Sequence, residues 1–219
     1  MPFKNLKPSH LRALTLAIAG FGLISWVALK RGILPPLSLT PMTCPPDETL
    51  HVPPTRAENS QRLITQLLPS NFDTSKISIL IEKSKHRLTL YYNQKPIKSY
   101  PVVFGDPQGD KRREGDRKTP EGIFRIQDKY PHPSWSKFLW LDYPNAQSQC
   151  KHQQSKQQGE IPPFSGIGGE VGIHGVPTGQ DSLVENRTHW TLGCPALKNK
   201  DVDEIYNVVK VGTIVEIIP

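Results

Sequence analysis

Cysteine is scarce in this sequence, and its scarcity limits the kinds of site that the chain can build. The chain has 219 residues but only three cysteines, Cys44, Cys150 and Cys194. Cys150 and His152 form one tight pair, but no second pair follows at the spacing of structural zinc sites. We therefore expect neither a metal nor a cofactor. The alternative is a zinc site drawn from scattered residues: Cys150, His152, His174, His189 and Cys194.

The sequence also lacks the basic surface of a nucleic-acid-binding protein. Its net charge is +7, but residues 1–35 carry +5 of this charge without a single acidic residue. Residues 77–219 hold 19 basic and 16 acidic side chains, a balance of +3, and residues 36–76 hold 3 against 4. No basic stripe with interleaved aromatic residues occurs. We expect no nucleic acid as partner, and the N-terminal basic residues suit anionic lipid headgroups.

The sequence has one long apolar run, and this run lies near the N-terminus. Ala13 to Leu29 contains 17 residues without a charge, at the short end of the roughly 17–25 residues that span a bilayer. We interpret residues 1–31 as an uncleaved signal-anchor helix, with the rest of the chain exported. A cleaved signal peptide is the alternative. Because export leads to an oxidising compartment, three cysteines fit one reactive thiol and a potential bridge between Cys44 and Cys150.

Proline is abundant directly after the apolar run. Seven of the 22 prolines fall between Pro35 and Pro54. Proline fixes φ and removes an amide donor, so residues 32–76 are expected to form an extended, semi-rigid spacer. Towards its end, Glu58 to Leu68 has the apolar spacing of a short helix.

From Ile77 onward the pattern becomes one of alternating strands. Strands are predicted at 77–81 and 88–92, and Asn93-Gln94 predicts a hairpin turn into a strand that ends at Val103. Further strands are predicted around 124–126, 171–174 and 214–217. We predict that residues 77–219 form a mostly-β domain, a sandwich or an open barrel, with a few short helices.

Two polar segments complete this prediction. Asp201 and Glu204 have the spacing of a capping box, which predicts a helix that Gly212 ends. Residues 147–159 are rich in glutamine and are predicted to form a polar, mobile loop, which is a candidate for substrate contact.

Cys194 and His174 carry the strongest chemical signal. His174 lies twenty residues before Cys194, beside Gly175, and Gly193 directly precedes the cysteine. A thiol with a pKa of about 8.5 is mostly protonated at neutral pH, so a nucleophilic cysteine needs an imidazole to take its proton. The amides of Gly193 and Cys194 are candidate donors to an oxyanion. The alternative is that both side chains are structural residues of the core.

Around these residues the sequence resembles the L,D-transpeptidases of the YkuD fold. Their signature is His-Gly followed by Ser/Thr-x-Gly-Cys, here Ile173-His174-Gly175 and Thr191-Leu192-Gly193-Cys194. Residues 115–122 (GDRKTPEG) look like the family's Gly-Asp-x-x-Thr-Pro-x-Gly segment. Residues 141–146 (LDYPNA) are similar to the YafK-like branch, as are Gly168-Gly169 and Trp190-Thr191. The resemblance covers about residues 77–219.

The resemblance implies that Cys194 attacks the third residue of a peptidoglycan stem tetrapeptide. D-alanine leaves, a thioester forms, and an amine acceptor completes a cross-link or attaches a cell-wall-linked protein. His174 would deprotonate first the thiol and then the acceptor. The domain would lie in the periplasm or cell envelope, anchored to the inner membrane. The implied site-shaping residues are Gly193, Thr191 and Gly175, and the candidate substrate contacts are Tyr143, Trp190 and Thr119.

Three positions depart from the family pattern. Ala196 replaces an arginine of the wider family, Pro195 replaces isoleucine or valine, and His189 replaces an aspartate of the branch. Because Pro195 has no amide hydrogen, it cannot contribute to an oxyanion hole. Two alternatives stay open: an L,D-specific peptidoglycan hydrolase of the same fold, and a non-catalytic wall-binding protein.

Overall fold

The computed structural model describes residues 43–45, 50, 51, 57 and 61–219. The predicted signal-anchor helix, residues 1–31, and most of the proline-rich segment lie outside these residues. Within the described ranges, none of the helices has the length and apolar character needed to cross a bilayer.

The described strands form one mixed sheet that nearly closes on itself. They are β1 (Ile77–Glu82), β2 (Arg87–Tyr92), β3 (Lys95–Pro101), β4 (Gly122–His132), β5 (Ser136–Leu141), β6 (Gly172–Gly175), β7 (Ala196–Leu197) and β8 (Ile214–Ile218). Their spatial order is β3-β2-β1-β8-β4-β5-β6-β7. An isolated antiparallel bridge between Val103 and Ala196 joins the chain after β3 to β7, at the other edge of the sheet. The predicted mostly-β, barrel-like architecture is therefore confirmed.

The hairpin between β2 and β3 forms as the sequence predicts. Asn93 and Gln94 both have positive φ, 49° and 62°, as a tight turn between right-twisted strands requires. The β3 strand ends at Pro101, two residues earlier than predicted, and Val103 instead makes the closing bridge.

The long strand β4 connects the two parts of the sheet. It pairs with β8 on one side and with β5 on the other, and its register shifts between Ile126 and Asp128. The buried core lies inside this curved sheet and includes Ile79, Leu90, Phe124, Ile126 and Val215, each at most 1% exposed.

Three α-helices occur among the described residues: α1 (Ala146–Gln157), α2 (Ser182–Glu185) and α3 (Asn199–Tyr206). The α1 helix corrects the prediction of a mobile loop at 147–159. Asn145 caps it by accepting a hydrogen bond from the Ser148 amide at 3.0 Å. Glutamine and lysine are good helix formers, but the segment lacks the apolar periodicity that reveals a helix in sequence.

The α3 helix is present, but the predicted capping box is wrong. Lys198 is its N-cap residue and makes no side-chain cap, and the helix ends at Tyr206, well before Gly212. Glu204 serves a tertiary role: it accepts hydrogen bonds from the Ile64 amide and, at 2.6 Å, from Lys98 Nζ. Burial of Val202 and Ile205 fixes α3 against the sheet.

The predicted helix at Glu58 to Leu68 is reduced to one 3-10 turn over Ile64–Gln66. Residues 58–60 lie outside the described ranges. Ile64 and Leu68 are buried, whereas Leu63 is 60% exposed. This short segment already buries Ile64 and Leu68 in the core, so their packing does not require a longer helix.

The described positions of the proline-rich segment are attached to the domain. His51 pairs with buried Glu216 at 2.6 Å and contacts Ser78 Oγ at 2.9 Å. Cys44 forms a disulfide with Cys150 of α1. At these positions the chain is therefore bound to the sheet and to α1, whereas the sequence predicts an extended spacer.

Removing the Cys44–Cys150 disulfide is expected to destabilise the domain. The bridge joins residues 106 positions apart, and disulfides typically contribute about 2–4 kcal/mol by restricting the unfolded chain. We expect reductant to lower the urea midpoint of the parent protein, and Cys150→Ser to show the same lower midpoint with or without reductant. An unchanged midpoint of the reduced parent would contradict a stabilising bridge.

Candidate active site

Strand pairing brings His174 to the chain that carries Cys194. The β6 strand runs parallel to β7, with His174 opposite Ala196. The His174 amide donates to the Pro195 carbonyl at 3.1 Å. A Cβ on Gly175 would lie 2.6 Å from the Trp135 carbonyl oxygen, so only glycine permits this close approach. The sheet therefore fixes the histidine beside the residue that follows the nucleophile.

The His174 ring is oriented by a backbone carbonyl. Nδ1 lies 2.6 Å from the Gly175 carbonyl oxygen, which can only accept, so Nδ1 carries the hydrogen and Nε2 is left as the basic nitrogen. The ring stacks on Trp135 at 4.4 Å and meets Trp190 edge-on at 5.6 Å. Burial lowers the pKa of His174 to about 4. The imidazole is therefore neutral at neutral pH.

Cys194 is a free thiol whose sulfur faces the chain before β6. Sγ accepts from the Gly172 amide at 3.5 Å and donates to the Glu170 carbonyl at 3.6 Å. Burial raises the pKa of the Cys194 thiol to about 11. No hydrogen bond of the described residues joins Sγ to His174, although both line one cleft. The resting pair is thus a neutral thiol and a neutral imidazole.

The turn around Cys194 is held by Thr191. The Thr191 hydroxyl donates to the Cys194 carbonyl at 2.7 Å and accepts from the Gly193 amide at 3.3 Å. Because its amide is engaged, Gly193 does not offer the oxyanion donor that the sequence predicts. The Cys194 amide has no partner among the described residues and stays available as a donor. Thr191 and Gly193 therefore shape the turn.

Residues 115–122 pack against the turn that carries Cys194. Gly193 has φ +133°, and a Cβ there would lie 2.6 Å from the Lys118 carbonyl oxygen. Asp116 accepts from three backbone amides and pairs with Lys111 at 2.8 Å. Burial opposes ionisation of Asp116, but these hydrogen bonds prevail and lower its pKa. The buried Thr119 does not line the cleft, so its predicted substrate contact is not found.

Of the other predicted substrate contacts, the structure places one in the cleft. Trp190 lines the cleft beside His174. Tyr143 is only 4% exposed, packs against Phe124 and donates its hydroxyl to the Ile167 carbonyl at 3.2 Å. Tyr143 is therefore a core residue, and the structure does not place it in the cleft.

The cleft has a volume of about 590 Å³ and is mainly aromatic. Most of its rings come from the end of β4, from β5 and from the turn between them, a stretch that contains none of the predicted site residues. The high density of aromatic residues between positions 130 and 140 is the sequence signal from which this part of the cleft could be predicted. The aromatic and histidine side chains lining the cleft, apart from His174, are Tyr130, His132, Trp135, Phe138, Trp140 and Trp190.

The zinc alternative is not supported. Cys150 is committed to the disulfide. Across the part of the chain that the structure describes, no group of three or more His, Cys, Asp or Glu residues could hold a metal ion.

A known protein family matches most of the chain. The YkuD family, described as the L,D-transpeptidase catalytic domain, matches residues 76–217 of the 219. No curated protein matches the chain.

Three solved structures illustrate the similarity. The helical cell shape determining protein Pgp2 from Campylobacter jejuni is 24% identical, with a TM-score of 0.47, over 67% of this chain and 51% of that one. Bd1075 from Bdellovibrio bacteriovorus is 22% identical, with a TM-score of 0.47, over 68% and 49%. An L,D-transpeptidase from Mycobacterium smegmatis is 15% identical, with a TM-score of 0.44, over 66% and 59%.

The match therefore spans about half the length of Pgp2 and Bd1075. The family match, by contrast, covers most of this chain and includes both Cys194 and His174. This chain belongs to the YkuD family of L,D-transpeptidase catalytic domains.

Proposed function

We propose that this protein is a peptidoglycan L,D-transpeptidase that acts through a thioester on Cys194. The observation that carries the proposal is a free thiol sharing one cleft with a histidine whose Nδ1–H is held by the Gly175 carbonyl. This arrangement leaves Nε2 as the base of the cleft, which is what activation of a neutral thiol requires.

The neutral resting pair determines the order of events. In acylation, Sγ bonds to the scissile carbonyl carbon while His174 Nε2 takes the thiol proton. Collapse of the tetrahedral intermediate breaks the C–N bond, and the same proton passes to the departing D-alanine amine. In the second half, an acceptor amine attacks the thioester and gives a proton to His174. This proton returns to the sulfur, which restores the neutral thiol.

Negative charge on the reacting carbonyl oxygen needs a hydrogen-bond donor. The Cys194 amide is the donor we assign, because it lies on the nucleophile itself and makes no hydrogen bond among the described residues. Pro195 supplies no amide hydrogen, and the Gly193 amide is held by Thr191.

We further propose that residues 1–31 anchor the enzyme to the inner membrane, with the domain in the periplasm or cell envelope. The Cys44–Cys150 disulfide supports this location, because such bonds persist in oxidising compartments. Stem peptides of peptidoglycan are then the substrate within reach, and a cell-wall-linked protein is a further acceptor or product.

Incubation of the full-length protein with purified sacculi tests the reaction. We expect mass spectrometry of the digested muropeptides to show new cross-links between two third-position residues, together with released D-alanine. Tripeptides without new cross-links would indicate the hydrolase alternative. Unchanged muropeptides, with Cys194 still open to alkylation, would contradict both activities, and Cys194→Ala provides the blank.

A further inference from the structure

Glu170 is the one carboxylate that lines the cleft within the described part of the chain. Its backbone is part of the nucleophile's surroundings, because its carbonyl accepts from Cys194 Sγ at 3.6 Å. It has φ +55°, a conformation that non-glycine residues seldom adopt. This turn leads from Gly169 into β6, so Glu170 stands at the edge of the cleft and next to the reacting sulfur.

The exposed Glu170 carboxylate makes no ion pair or hydrogen bond with the other described residues. No lysine or arginine lines the cleft, and the nitrogen bases that line it are His132 and His174. Burial is the main cause of the raised pKa of the Cys194 thiol and of the Tyr130 hydroxyl, and the negative charge of Glu170 raises both pKa values further. An unpaired, exposed carboxylate therefore stands at the rim of the aromatic cleft, on the residue whose backbone contacts the reacting sulfur.

A carboxylate beside aromatic faces suits an ammonium group. The carboxylate supplies charge-assisted hydrogen bonds, and the ring faces supply cation–π attraction. In the proposed reaction the acyl group on Cys194 belongs to the third stem residue, so the side chain of that residue must lie next to Sγ. Glu170 carries the one carboxylate among the residues that line the cleft, and its backbone carbonyl already contacts Sγ.

Resting on the proposed function, we infer that Glu170, with Tyr130 beside it, binds the side-chain ammonium of the third residue of the donor peptide. Glu170 is thus a specificity-determining residue that favours a diamino acid at the acyl position. Peptides with a neutral side chain at the third position lose this contact and bind more weakly.

Binding to the Cys194→Ala variant of the full-length protein tests the inference without turnover. The two probes are a tetrapeptide with a free side-chain amine at the third residue and the same peptide with that amine acetylated. We expect calorimetry to show the free amine binding about tenfold more tightly or better. Adding Glu170→Gln is expected to remove this preference and to leave the acetylated peptide unaffected.

The matched control is Glu114→Gln, which neutralises an exposed carboxylate packed against Gly168 but outside the cleft. It should retain the preference. Equal binding of the two peptides before Glu170 is changed would overturn the inference and leave the proposed function intact. A preference that survives Glu170→Gln would overturn it as well. Failure of both peptides to bind, with unchanged sacculi, would overturn the inference and the proposed function together.

Discussion

Replacing Cys194 by alanine is expected to lower the release of D-alanine from stem tetrapeptides by about 10³-fold or more. The reason is that no second thiol can take over: the other two cysteines of the sequence are joined to each other. Both transfer and hydrolysis pass through the same thioester, so both should fail together. The measurement is the rate of D-alanine release, paired with intact-mass detection of the acyl-enzyme in the parent protein.

Cys194→Ser separates chemistry from folding in this experiment. Serine matches the cysteine closely in size, and the turn held by Thr191 depends on the Cys194 carbonyl rather than on Sγ. We therefore expect the parent melting temperature together with activity near background. Turnover by Cys194→Ala above the uncatalysed rate would remove Cys194 from the mechanism.

Much of the fold could be predicted because its signals are local. Strands β1 to β3 show alternating apolar residues, and the hairpin between β2 and β3 has a two-residue turn, both of which are visible in a short window. The α1 helix was missed because its stability comes from the Asn145 cap and from tertiary attachment, including the disulfide to Cys44. The spacing of Glu204 from Asp201 fits a helix cap, but the Glu204 carboxylate binds the Ile64 amide and Lys98 Nζ, which are distant in sequence.

In the candidate site, too, the residues with local sequence signals could be predicted and those placed by tertiary contacts could not. Cys194 and His174 were identified because each stands in a short motif with glycine, and the backbone contacts of Gly175 explain why glycine is needed there. The aromatic wall was not identified, because its residues become neighbours of His174 only when β5 pairs with β6. Tyr143 was assigned to the substrate because of its motif, yet whether an aromatic ring faces a cleft or a core depends on packing.

Replacing His174 by glutamine is expected to slow alkylation of Cys194 by iodoacetamide about 10²–10⁴-fold at neutral pH, the usual contribution of a general base. In the parent, the reacting forms are the neutral imidazole, present above a pKa of about 4, and the neutral thiol, present below a pKa of about 11. The rate should therefore vary little between about pH 6 and pH 9. Without the base, reaction requires free thiolate, whose fraction rises about tenfold per pH unit below the thiol pKa.

The two profiles thus differ in shape as well as in height, which distinguishes loss of the base from a general disturbance of the cleft. His86→Gln, at a histidine outside the cleft, serves as the matched control and should retain the flat parent profile. A parent rate that already climbs tenfold per pH unit would mean that His174 does not take the thiol proton. In that case the cysteine would react as an isolated thiol, and the cleft would have to activate it by other means.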